Sequence, residues 1–223
     1  MLAQRLKKLK PYVPGEQPQD RTYIKLNTNE NPYPPSPRIA PYLKSFDIER
    51  LRLYPDPLFT TLRRAIADRY GIDASQVFVG NGSDEVLAFA FFAFFDSANG
   101  RLLFPEFSYS FYPVYCDLYD IAYRKVPLKD DFSISIEDYI GDEKSCGVVF
   151  PNPNAPTGIL LSIETVTRLM EQYPEDRVVV IDEAYIDFGG QSAVCLIDRF
   201  KNLLVTRTFS KSMSLAALRL GFA

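Results

Sequence analysis

The sequence predicts a three-layer α/β/α fold on a mostly parallel sheet, preceded by an extended N-terminal arm. Three observations predict it. From Leu58 onward, short apolar runs alternate with segments of helical spacing, the order that βαβ units produce. Several of the runs are continuously apolar, as strands covered on both faces are. Residues 1–57 are instead polar and proline-rich, in KPYVPGEQPQD, NENPYPPSP and YPDP. Proline fixes φ and removes a backbone donor, so this part reads as an arm with one short helix at 37–46.

The elements follow in order. Residues 58–71, LFTTLRRAIADRYG, have helical spacing and close on a glycine. VFVG at 77–80 reads as a short strand, and SDEVLAFAFFAFF at 83–95 as a helix capped by Ser83. RLLFP (101–105) is a strand, SFYPVYCDLY (110–119) a helix and AYRKVPL (122–128) a strand. CGVVFPNP (146–153) is the next strand, with SIETVTRLMEQY (162–173) as its helix. RVVVID (177–182) is a strand, SAVCLIDRF (192–200) a helix and NLLVTRTFS (202–210) a strand. An apolar run with helical spacing follows Lys211.

Composition narrows the function. The 223 residues are 47% hydrophobic and 24% charged, which is ample material for a core. A net charge of −3 with no basic block argues against a nucleic-acid surface. With no histidine, a histidine-based triad and most zinc sites are excluded. The three scattered cysteines match neither a disulfide framework nor a metal pattern, so no metal is expected. The opening MLAQRLKKLK lacks the apolar stretch of a signal peptide. The longest apolar run, 86–95, is far short of the ~20 residues a membrane span needs. The expectation is a soluble cytoplasmic protein with neither nucleic-acid nor membrane partners.

Parallel sheets bind ligands at the carboxyl ends of their strands, so the residues after each strand matter most. After VFVG, Asn81-Gly82-Ser83-Asp84 opens a helix whose free N–H groups suit an anion. Taken alone it reads more readily as a capping turn with no ligand. After CGVVF comes the stiff polar loop PNPNAPTG, alone a plain turn. After RVVVI, Asp182 ends a strand with no cationic neighbour in sequence, and a carboxylate there calls for a cationic partner. Tyr185 follows three residues on; the plain alternative is a solvated Asp with a packing Tyr. After NLLVTRTF, Lys211 stands between Ser210 and Ser212. A partly desolvated lysine can form a Schiff base, though most lysines are surface residues. Arg219 offers a second cation, suited to a phosphate. One ligand needs all of these together: an aldehyde, a pyridine nitrogen, a ring hydroxyl and a phosphate. That ligand is pyridoxal 5'-phosphate.

With those residues in view, the chain resembles the fold-type I aminotransferases, and among them the histidinol-phosphate type. The resemblance runs through LNTNENPYPPSP, LYPDP, GNGSDEVL, YSFYPVY, PNPNAPTG, DEAYIDF and TFSKSMSLAALRLG. It implies that Lys211 forms the Schiff base, Asp182 pairs with the pyridine nitrogen and Tyr185 bonds the ring hydroxyl. It implies that Tyr109 stacks on the ring. Gly82, Ser83, Asp84, Ser210 and Arg219 then surround the phosphate, with Tyr54 reaching in from a partner subunit of a homodimer. Tyr12 and Asn31, in the arm, are implied to contact substrate. The resemblance also implies an asparagine directly before PTG; that position is Ala155, leaving Asn154, Asn152 or Tyr185 alone for the role.

The implied activity is transamination between histidinol phosphate and 2-oxoglutarate. Threonine-phosphate decarboxylation and aromatic transamination are alternatives, and a catalytically silent fragment is a third. The implied domains are an arm with part of a small domain (1–57) and a cofactor domain (58–223). Family members continue beyond the lysine segment into a C-terminal small domain absent here. The expectation is therefore that this chain alone is inactive.

Overall fold

The computed structural model describes residues 6, 7, 9, 16, 18, 20, 21 and 23–223. Tyr12 lies outside them. Among the described residues the strands are β1 (Val79–Asn81), β2 (Arg101–Pro105), β3 (Tyr123–Val126), β4 (Ser145–Pro151), β5 (Val178–Asp182), β6 (Leu203–Thr208) and β7 (Leu220–Phe222). They form one sheet in the order β1-β7-β6-β5-β4-β2-β3. The five from β6 to β3 pair in parallel, and β7 runs antiparallel to both β6 and β1. The helices are α1 (Ile39–Lys44), α2 (Thr60–Tyr70), α3 (Ser83–Phe94), α4 (Tyr112–Tyr119), α5 (Glu137–Ile140) and α6 (Ile163–Gln172).

The two-residue period of a strand explains the layers. Leu103, Val148, Phe150, Val179 and Ile181 pack with Val166, Leu169 and Met170 of α6 on one face. Their neighbours Leu102, Phe104, Val149 and Val180 pack on the other face with Leu87 and Phe91 of α3 and with Tyr112, Tyr115 and Cys116 of α4. Both faces are dry, which is why these strands read as unbroken apolar runs. On α6 the buried residues stand three and four apart, and the Ser162 hydroxyl accepts the Thr165 N–H at 3.2 Å as its N-cap.

Three expectations need correction. Ser83 does not cap α3: Gly82 is the N-cap and Ser83 the first helical residue. Residues 192–200 form only a 3₁₀ turn, Ala193–Leu196. The Ala193 N–H and Ser192 hydroxyl are bonded at 2.6 and 2.5 Å by the Glu183 carboxylate, a tertiary tie that holds the start of the segment against the sheet. The run after Lys211 also forms only a 3₁₀ turn, Ala216–Leu218. Ser214 and Arg219 take left-handed φ of 57° and 51°, and the chain turns back to form β7.

Candidate active site

The carboxyl ends of β4, β5 and β6 open into a cavity of about 230 Å³. Pro151, Asp182 and Thr208, the last residues of those strands, line it, together with Ser83, Asp84, Tyr109, Tyr185, Ser210, Lys211 and Arg219. Eight residues singled out from the sequence thus converge: Ser83, Asp84, Tyr109, Asp182, Tyr185, Ser210, Lys211 and Arg219.

Asp182 sits at the cavity floor, 4% exposed. Its carboxylate accepts hydrogen bonds from Tyr112 Oη (3.1 Å) and Thr206 Oγ1 (3.2 Å). No lysine or arginine pairs with it among the described residues. Burial pushes its carboxyl up to about 6, and the two hydroxyl donors work against that rise. Burial and the nearby Asp182 hold the Tyr112 phenol well above its usual range, so it stays a donor. Neither donor carried a sequence signal. Tyr112 reads as a core aromatic of α4 and Thr206 as a strand residue.

One end of the cavity is built from α3 and the turn before β7. Gly82 has φ 81°, and a Cβ there would stand 2.5 Å from Arg219 Nη2. A Cβ on Gly221 would meet the Ser83 N–H at 2.3 Å. The two glycines let β7 lie against the start of α3 and bring the Arg219 guanidinium over its N-terminus. A helix N-terminus already attracts anions through its orphan N–H groups and dipole. The acidic residues of the first turn are engaged elsewhere. Tyr109 Oη donates to Asp84 Oδ1 at 2.7 Å, and Glu85 Oε2 accepts the Asn81 N–H at 2.6 Å. Burial and Asp84 keep the Tyr109 phenol protonated.

The arm closes the mouth. Lys211 Nζ donates to the Thr28 carbonyl at 2.9 Å and lies 5.7 Å from the Tyr185 ring centre. Asn29 Nδ2 donates to Tyr185 Oη at 3.0 Å. Thr28 and Asn29 both have left-handed φ, of 62° and 51°, the kind of local strain that gathers at functional sites. Thr28 and Glu30, within the LNTNENPYPPSP stretch that carries the resemblance, also line the cavity. The Lys25 ammonium at 2.5 Å lowers the Glu30 carboxyl below its usual range.

The remaining residues are placed differently. Asn31 Nδ2 bonds the Lys211 and Ser212 carbonyls at 3.1 and 3.4 Å, so it clasps the lysine turn. Ala155 lines the cavity and Asn154 does not. Asn154 Nδ2 donates to the Phe107 carbonyl (3.0 Å) and Thr157 Oγ1 (3.2 Å), while its buried Oδ1 has no hydrogen-bond partner among the described residues. Asn152 is spent on the backbone of Leu161. Tyr54 is fully exposed on the arm and touches none of this.

A parallel α/β sheet with a lysine, an unpaired buried carboxylate and an anion cradle at its carboxyl edge defines a domain of the aminotransferase type. The chain belongs to the aminotransferase class I and II family, whose profile matches residues 21–223. It is 63% identical over 225 residues to histidinol-phosphate aminotransferase of Syntrophus aciditrophicus, covering 100% of this chain and 62% of that protein. It is 56% identical over 218 residues to the Pseudomonas entomophila protein of the same name, covering 98% and 62%. The chain thus spans about 62% of the length of these curated relatives. Histidinol-phosphate aminotransferase from Sinorhizobium meliloti, solved in complex with pyridoxal-5'-phosphate, superposes with a TM-score of 0.79 at 25% identity, over 87% of this chain and 54% of that one.

Proposed function

We propose that the chain is the cofactor-binding part of a pyridoxal-phosphate-dependent aminotransferase that exchanges the amino group of histidinol phosphate with 2-oxoglutarate. One observation carries it: a buried carboxylate without a cation, a lysine amine and an anion cradle face one cavity. The relatives' names support the substrate.

The residues fit the cofactor. Asp182, ionised only at the expense of burial, lacks a cationic N–H partner, which a protonated ring nitrogen supplies. With no Cβ, Gly82 lets the Arg219 guanidinium lie against the start of α3, where it and the helix N–H groups suit a phosphate. When bound, pyridoxal phosphate supplies an aldehyde for the substrate amine and a protonated ring that draws electron density from the substrate Cα.

The chain's own work follows from position. Asp182 holds the ring N–H, and Tyr112 and Thr206 fix the carboxylate that does so. Tyr185 Oη, now bonded to Asn29, serves the ring hydroxyl, with Ala155 giving no help. Ser83, Ser210, Arg219 and the α3 N-terminus hold the phosphate. Lys211 Nζ would leave the Thr28 carbonyl, take the proton from the substrate Cα and return it to the carbon that was the cofactor's aldehyde. The arm over the mouth limits water.

In this reading residues 1–57 are the arm with part of a small domain, and 58–223 the cofactor domain. A cytoplasmic homodimer is its expected form. Exposed Ile24, Leu26, Ile48, Leu51 and Tyr54 on the arm support a partner surface. Among the described residues no helix is long and apolar enough to cross a membrane. Turnover of histidinol phosphate with 2-oxoglutarate by the full-length gene product, measured beside threonine phosphate and aromatic amino acids, tests the substrate. A clear preference for either competitor would overturn it.

A further inference from the structure

Behind the cavity, one arginine joins the three segments that carry the site. Arg207 of β6 is 4% exposed. Its Nη1 lies 3.2 Å from Glu183 Oε2, next in sequence to Asp182. Its Nη2 is bonded to Asp187 Oδ1, on the 3₁₀ turn Ile186–Phe188 that follows Tyr185. The other Asp187 oxygen accepts the Ser212 hydroxyl at 2.5 Å, one residue after Lys211. The ring of Tyr70 covers the guanidinium, 5.3 Å from its centre.

A buried guanidinium is retained only with its partners, and here both partners are loop carboxylates next to functional residues. Arg207 and Ser212 hold the Asp187 carboxyl below its usual range against the pull of burial. The lysine turn has backbone closures of its own, Ser214 N–H to Lys211 O at 3.1 Å and Leu215 N–H to Phe209 O at 3.1 Å. Those bonds, and the Asn31 amide on the Lys211 and Ser212 carbonyls, hold the turn without reaching the turn that carries Tyr185. Ser212–Asp187 is a side-chain tie from that turn to the turn carrying Tyr185.

We propose that Arg207, Asp187 and Ser212 form a positioning clamp that sets the Lys211 amine in register with Asp182 and Tyr185. The proposal rests on the cofactor reading above only for its consequence, since the clamp itself belongs to the cofactor-free chain. None of the three residues touches the reacting atoms. Their effect passes through the Lys211 turn, where a displacement of about 1 Å is enough to cost on the order of 100-fold in rate.

Two measurements on the whole chain test it, with Ser212→Ala as the variant because removing the buried Arg207 would strand the Glu183 and Asp187 carboxylates. Amide hydrogen exchange without cofactor reads the clamp directly. Ser212→Ala is expected to speed exchange across 211–215 about tenfold, leave β4 and β5 unchanged, and keep the thermal midpoint within about 2 °C. Borohydride trapping of pyridoxal phosphate, mapped to Lys211, reads the consequence. Ser212→Ala is expected to slow trapping about tenfold, and Ser212→Thr, which keeps the hydroxyl, to restore it. Unchanged exchange and trapping would overturn the clamp, as would a slowing that threonine fails to rescue. If exchange responds as expected while the unaltered chain traps no label at Lys211, the clamp stands and the cofactor reading fails.

Discussion

Asp182→Asn should make the cofactor-free chain more stable at neutral pH. The residue is 4% exposed, and burial raises its carboxyl from the 3.8 of a free side chain to about 6, with the charge of Asp84 adding to the rise. Folding therefore favours the protonated acid. The sign follows: its contribution to stability is present below about pH 3.8 and is lost as pH climbs through about 6. A gap of roughly two pH units amounts to about 3 kcal/mol against the folded state at pH 7.5, and about 1 kcal/mol at pH 4.5. Asparagine has the same shape and no charge to desolvate. Whatever the altered hydrogen bonds to Tyr112 and Thr206 cost is constant with pH, so the change in the variant's advantage isolates the charge. Urea unfolding of both proteins without cofactor at the two pH values should show that advantage growing by about 2 kcal/mol from pH 4.5 to 7.5. An advantage that stays constant would show that Asp182 is not a strained carboxylate. With pyridoxal phosphate present, the unaltered protein should gain more stability than the variant, because only it offers a charge to the ring N–H.

Tyr112→Phe removes one donor from the same carboxylate. Its titration, followed by carbon-13 NMR of the carboxyl, should move up by roughly one pH unit, since hydrogen bonds to charged groups are worth about 1.5–3 kcal/mol; an unmoved titration would remove Tyr112 from the site. Gly82→Ala places a Cβ 2.5 Å from Arg219 Nη2 at a φ of 81°. It should cost about 1–2 kcal/mol in chemical denaturation and weaken pyridoxal phosphate binding at least tenfold, and wild-type affinity would argue against the cradle. Lys211→Ala should abolish borohydride-trapped label, and a label mapped to Lys201 in the unaltered chain would sink the assignment.

Much of this was legible in the sequence because the evidence there is local. Unbroken apolar runs such as Val178–Val180 declare strands dry on both faces, and the residues just past them, Asp182 and Lys211, sit where such sheets bind ligands. What stayed hidden depends on contacts between distant segments. Tyr112 meets Asp182 only because α4 packs beside β5, and no spacing within either segment records it. Asn154 looked free in PNPNAPTG, yet the Phe107 carbonyl claims its amide. The run after Lys211 has helical spacing, but the close approach of Gly221 to Ser83 sets a path that a helix could not follow. Thr28 reaches the lysine from the far end of the chain through a turn with no apolar signature.

The insertion of β7 between β1 and β6 also bears on how the molecule assembles. Gly80 pairs with Gly221, roughly 140 residues later, so the proposed anion cradle forms only once a very long loop has closed, a step whose entropy is unfavourable and whose contacts are among the least local in the fold. The neighbouring pairs of β2 with β3 and β4 with β5 span far shorter stretches and set in place the edge that bears Asp182. On refolding, strand formation should therefore run ahead of phosphate affinity, and the delay between the two signals measures the docking of the final strand.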